Sequence, residues 1–129
     1  MRQVVSTEKA PAAVGPYSQA ILVEPSAVVF TAGQVGINPK TGKMVEGGIQ
    51  AETKQVLENL KAVLEAANSN LQNVIKCTVF LADINDFQAM NEVYKTYFPS
   101  NPPARSAVAV KQLPLNATIE IEAIALVAS

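Results

Sequence analysis

Val74-Ile75-Lys76-Cys77-Thr78-Val79-Phe80-Leu81 is a run of β-branched and apolar side chains with no glycine or proline inside it. Asp83-Ile84-Asn85-Asp86 follows at once, so a strand is expected over residues 74–82 with a turn to close it. Phe87, Met90, Tyr94 and Tyr97 then recur at three- and four-residue spacing, the mark of an amphipathic helix, and Pro99 stops it. Asn85 followed by Gln88 has the form of a capping box.

Working outward, residues 50–67 also repeat at helical spacing, with Val56, Leu60, Val63, Leu64 and Ala67 expected on one face and Asn68-Ser69-Asn70 ending the helix. Ala20-Ile21-Leu22-Val23 and Val28-Val29-Phe30-Thr31-Ala32 are short β-type runs separated by Glu24-Pro25-Ser26, which reads as a turn. Asn38-Pro39-Lys40-Thr41-Gly42 is another turn. Two more strands are expected near 105–111 and 117–127. The order is strands, helix, strand, helix, strand, strand. That is an α+β domain with two helices on one face of a mixed sheet. The uncovered face is expected to carry Ala107, Ala109, Ile119 and Ile121, and burying it against identical chains would make the protein an oligomer. No linker, repeat or low-complexity tract interrupts residues 1–129, so one domain is expected.

Composition removes several classes of chemistry. The 129 residues are 49% hydrophobic and contain no histidine, one cysteine and no tryptophan. Without histidine there is no Ser-His-Asp or Cys-His mechanism and none of the usual zinc sites. Cys77 has no partner for an internal disulfide, and within its apolar run it reads as a packing residue. Net charge is −1 with a pI near 5.4, so no global attraction to nucleic acid is visible. No apolar stretch approaches the roughly 18 residues of a membrane span. The start has no signal-peptide core, which leads to the expectation of a cytoplasmic protein, or an organellar one if a leader is removed.

Ten basic residues include only two arginines, Arg2 at a start expected to be flexible and Arg105. Arg105 follows Pro102-Pro103 and opens a β-patterned apolar run. Its planar fork suits a carboxylate bidentately, either a ligand's or that of Glu120 or Glu122 in a structural ion pair. In Ile119-Glu120-Ile121-Glu122-Ala123 strict alternation puts both glutamates on one face. They are a solvated face, a pair with Lys111, or a carboxylate turned into a cleft as an acid/base. Gly33, in Thr31-Ala32-Gly33-Gln34, would let a ligand approach the backbone. Tyr17 in Gly15-Pro16-Tyr17-Ser18-Gln19 is a packing residue or a cleft residue, and Asn91 a surface, capping or site residue.

Five co-linear segments together resemble the RidA (YjgF) reactive-intermediate deaminases: 10–20, Phe30-Thr31-Ala32-Gly33-Gln34, 74–81, Pro103-Ala104-Arg105-Ser106 and 119–125. The resemblance runs nearly end to end. It implies a chorismate-mutase-like fold with a six-stranded mixed sheet, assembled as a homotrimer with ligand clefts between subunits. It also implies hydrolysis of 2-enamine and 2-imine acids such as 2-aminoacrylate to 2-oxo acids and ammonia, with no metal or cofactor. Arg105 would bind the substrate carboxylate, Glu120 would handle water and protons, and Tyr17 would line the cleft. Ala107, Gly33, Ala32 and Asn91 would complete the substrate site. Bacterial members often have cysteine where this chain has Ala107, so a thiol is not essential here, although the backbone N–H remains. Some members carry serine in place of Ala32, which removes a hydroxyl contact. Family members have also been described as endoribonucleases or translation inhibitors, and a non-catalytic 2-oxo acid binder is a third reading. Nucleic acid is not the expected partner of an acidic chain lacking a basic stripe.

Overall fold

The computed structural model describes residues 2–24 and 27–127. Pro25 and Ser26, in the turn expected after the first β-type run, lie outside the described residues. The 74–81 segment is the strand that the rest is built on. In β6 (Val74–Leu81) the side chains of Val74, Cys77, Val79 and Leu81 are fully buried, while Lys76, Thr78 and Phe80 point to the other face. A bulge between Val74 and Lys76 sets this alternation.

On one side β6 pairs in parallel with β7 (Ala104–Ala109), and on the other antiparallel with β8 (Ile119–Leu126). β3 (Val28–Phe30) closes the far edge against β8, giving the order β3-β8-β6-β7. Parallel strands need a crossover, and α2 (Phe87–Tyr97) supplies it between β6 and β7. α1 (Gly48–Ala66) lies beside α2 on the same face. Val56, Leu57, Leu60 and Leu64 of α1, with Met90 and Tyr94 of α2, bury completely against Val79, Leu81, Ile119 and Ile121 of the sheet. Among the described residues no helix is long and apolar enough to cross a membrane.

Two further pairs stand apart from this ladder. β1 (Arg2–Val5) and β2 (Ala20–Val23) form an antiparallel pair, and β4 (Ile37–Asn38) and β5 (Lys43–Met44) a short hairpin around the expected 38–42 turn. The expected six-stranded sheet is therefore a four-stranded ladder. Among the described residues no strand ladder joins the β1–β2 pair to it, and a single parallel bridge, Ser18 to Ala104, forms just ahead of β2. The chain start is not loose: Arg2 Nε donates to the Val74 carbonyl at 3.0 Å and Nη2 to that of Asn101 at 2.8 Å.

Other expectations change for identifiable reasons. Ile119 and Ile121 are not on the uncovered face; both are 0% exposed beneath the helices. Ala107 and Ala109 share that helix side, in register with Val79 and Leu81. The open face instead carries Phe30, Phe80, Val108 and Ile124, together with Glu120, Glu122, Thr78 and Ser106. Alternation separates two sets of residues but does not say which set meets the helices. In α1 the buried stripe includes Leu57, while Val63 turns outward. The capping box at Asn85 is not used. Asp83 caps the turn before α2, its carboxylate accepting from the Asn85 N–H at 2.9 Å.

Candidate functional site

Arg105 is placed by β7, in register with Cys77, so its side chain leaves the sheet toward α2. Nη1 donates to Asn91 Oδ1 at 2.7 Å. Three aromatic rings surround the guanidinium carbon, with centroids at 4.8 Å for Tyr94, 5.4 Å for Phe87 and 5.6 Å for Tyr17. Phe87, Asn91 and Tyr94 lie four and three residues apart and share one face of α2. The helix thus brings two ring faces and one amide acceptor to the same cation, a favourable arrangement for guanidinium. Arg105 is half-buried, and this burial lowers its pKa from the ordinary arginine value. Among the described residues the one ion pair is Lys95 with Glu92, so no carboxylate of those residues neutralises Arg105. The expected alternative of a structural pair with Glu120 or Glu122 does not occur within the chain.

Tyr17 reaches this cluster because the loop before β2 is pinned. The Ser18 N–H donates to the Pro103 carbonyl at 3.0 Å, and Ser18 Oγ donates to that of Pro102. The two prolines ahead of Arg105 thereby hold the Tyr17 loop against β7. Tyr17 Oη accepts from the Val14 N–H at 3.4 Å. An open cleft of about 440 Å³ runs past Gly15, Asn91 and Lys95 beside the cluster. Ala107 sits two residues beyond Arg105 on the same face, packed against the core.

Glu120 is elsewhere. It is in register with Phe80 on the open face of the sheet, between the buried Ile119 and Ile121. Its carboxylate lies over Gly33, where an added β-carbon would overlap Glu120 Oε2. Gly33 is thus a close-approach glycine, although the group it admits here is a side chain of the protein itself. Gln34 fixes the turn by exchanging backbone hydrogen bonds with Ile121 at 2.8 and 3.1 Å, and Thr31 Oγ1 accepts from the Ala123 N–H at 3.0 Å. Ala32 is exposed next to it.

The candidate residues therefore form two groups. Arg105, Tyr17, Asn91 and Ala107 gather on the helix side at the β7 edge. Glu120, Gly33 and Ala32 gather around the open face toward the β3 edge. One chain does not bring the guanidinium and the carboxylate together.

Phe87 and Tyr94 were legible only as a helix stripe, yet they form the platform of the guanidinium; their spacing to Asn91 was the available signal. Gln19 had no signal. Its amide ties the preceding loop, Nε2 donating to the Pro11 carbonyl at 2.6 Å and Oε1 accepting from the Thr7 N–H at 2.7 Å. Cys77 is a packing residue, and burial pushes its thiol up to about 11. Tyr94 Oη is buried beside it without a completed hydrogen bond.

Residues 7–127 match the family model described as endoribonuclease L-PSP. A human protein named 2-iminobutanoate/2-iminopropanoate deaminase is 52% identical over 126 residues, covering 98% of this chain and 90% of its own. A rat protein of the same name is 54% identical over 97% of this chain and 90% of its own. The crystal structure of E. coli TdcF with bound serine aligns with a TM-score of 0.75 at 40% identity, over 98% of this chain and 99% of that one. With the family model matched over residues 7–127 and relatives above 50% identical along nearly the whole length, the chain belongs to the RidA (YjgF) family.

Proposed function

We propose that this protein hydrolyses short 2-imino acids, of the 2-iminobutanoate and 2-iminopropanoate type, to 2-oxo acids and ammonia. The observation that carries the reading is Arg105, a half-buried cation on an aromatic platform with no carboxylate partner among the described residues. Such a group stabilises a bound organic anion, and desolvation strengthens that attraction. The relatives named above as deaminases support the substrate class. The serine bound in the E. coli TdcF structure is a small carboxylate-bearing molecule of similar size.

In the proposed reaction Arg105 grips the substrate carboxylate while Asn91 holds the guanidinium in place. Glu120 orients a water against the imine carbon and takes its proton as the C–O bond forms. The resulting carbinolamine carries both hydroxyl and amine on C2. The first proton passes to the nitrogen to make that amine, and the hydroxyl proton follows it through Glu120 as the C–N bond breaks, so that ammonia leaves and the C=O of the 2-oxo acid forms. The imine is already electrophilic, so fixing two reactants supplies much of the rate gain. Proton relay adds about 10²–10⁴-fold. This mechanism uses no metal, cofactor or covalent intermediate.

Because Arg105 and Glu120 leave opposite faces of one sheet, the working site is proposed to form between copies, with Arg105 from one and Glu120 from the next. A contact joining the β7 edge of one copy to the β3 edge of another is head-to-tail, and such a contact makes a ring when its rotation closes. The family resemblance supports a ring of three chains. The direct experiment is release of 2-oxo acid from imines generated freshly from several parent amino acids. Acceleration over the spontaneous rate is expected. RNA cleavage without imine turnover, or ligand binding without turnover, would overturn the reading.

A further inference from the structure

We infer that the groove between α1 and the Gly33–Pro39 segment receives the 10–16 loop of a second copy of this chain, with Val14 as the inserted side chain. The inference rests on the between-copies reading above and names the contact that holds the two groups of residues together.

Val14 is 90% exposed, at the tip of Ala10-Pro11-Ala12-Ala13-Val14-Gly15-Pro16, seven residues without a charge. An apolar loop so exposed is ordinarily floppy. This one is held from below by Gln19, whose amide bonds the carbonyls of Thr7, Ala10 and Pro11. The Val14 N–H is itself spent on Tyr17 Oη. The loop is therefore a preorganised apolar projection, and a preorganised segment loses little freedom on docking.

The receiving groove has a volume of about 450 Å³ and an uncharged lining that includes Val35, Ile37, Pro39, Ala62 and Val63. Val63 is the helix residue that turned away from the core. Asn59 braces the wall, its Nδ2 donating to the carbonyls of Val35 and Ile37 at 3.2 and 2.9 Å. One end of the groove is Gly33, against which the Glu120 carboxylate lies. The loop, for its part, borders Arg105 through Gly15. Because Gly15 borders Arg105 and Gly33 borders Glu120, bringing one copy's Arg105 to another's Glu120 brings the loop near the Gly33 end of the groove. Apolar projection and apolar recess then coincide, and docking fixes Tyr17 over the cleft at the moment the site is completed.

The test is a Val14→Cys, Val63→Cys double variant treated with a short bis-maleimide, beside each single variant; Cys77 is fully buried and stays unreacted. Chains linked to one another in the double variant only are the expected result. An intact oligomer by sedimentation with no linked chains overturns this inference and leaves the between-copies site standing. A monomeric wild-type protein overturns both. Independently, Val14→Asp is expected to weaken self-association at least tenfold with helix content unchanged, while Val14→Leu keeps it. Equal association of Val14→Asp and wild type contradicts the inference.

Discussion

Arg105 and Glu120 stand on opposite faces of the same four-stranded sheet, Arg105 in register with the buried Cys77 and Glu120 with Phe80 of the open face. A period-two strand leaves no other outcome once Ile119 and Ile121 are buried under the helices. The guanidinium on its aromatic platform and the carboxylate beside Gly33 are thus built as separate halves of one chain.

Arg105→Ala is expected to abolish imine hydrolysis, with a loss of about 10³-fold or more in kcat/KM, because a charge-assisted fork to the substrate disappears. The oligomer should remain folded, since among the described residues no carboxylate is left unpaired by the change. Steady-state kinetics with circular dichroism on the same sample checks both halves of this outcome.

Asn91→Ala frees one edge of the guanidinium, which then samples positions off its platform. Losing one hydrogen bond to a charged group is worth about 1.5–3 kcal/mol. KM should rise roughly tenfold or more, with kcat affected less, as expected for an interaction made in ground and transition states alike.

Gly33→Ala forces the Glu120 carboxylate out of its seat, because the new methyl overlaps Oε2. Turnover should fall by about 10–100-fold with KM nearly constant, the signature of a displaced proton relay. The clash is with the far end of a flexible side chain, so the melting temperature should shift little. A large loss of stability would point instead to a structural role for the glycine.

Alkaline pH provides a test of the buried interior. Cys77 is raised from its ordinary value of 9.0 up to about 11, chiefly by desolvation. The unfolded chain therefore releases the thiol proton before the folded one does. This contribution to stability is complete below pH 9 and is lost as pH rises toward 11. Denaturant unfolding at pH 7 and pH 10 should show the decline, and Cys77→Ala should flatten it while costing packing energy at both.

Much of the scaffold was legible in the sequence because local patterns were strong. The 74–81 strand, the two helices and the 119–126 strand came from periodicity, which burial enforces directly. What periodicity lacks is a sign: it separated Ile119 and Ile121 from Glu120 and Glu122 without saying which set the helices cover. Val63 shows the same ambiguity at the margin of a helical stripe, where one residue's rotation decides between core and surface. The expected box at Asn85 is not used because a 3₁₀ turn, capped by Asp83, precedes α2, and Asp86 at the start of α2 makes no side-chain cap bond. In the site, Arg105 stood out by rarity and Glu120 by alternation. The aromatic platform of Phe87 and Tyr94, the Gln19 clamp and the division into two halves depend on contacts between distant segments, and no local pattern encodes those.

Mixing inactive Arg105→Ala chains with inactive Glu120→Gln chains, after dissociation and reassembly, tests the central claim most directly. If each site takes its arginine from one copy and its glutamate from the next, random mixing around a closed ring restores about one quarter of the native sites. Recovery near that level, absent from either variant alone, is the expected result. A mixture as inactive as its components, in a reassembled oligomer, would contradict a site shared between chains.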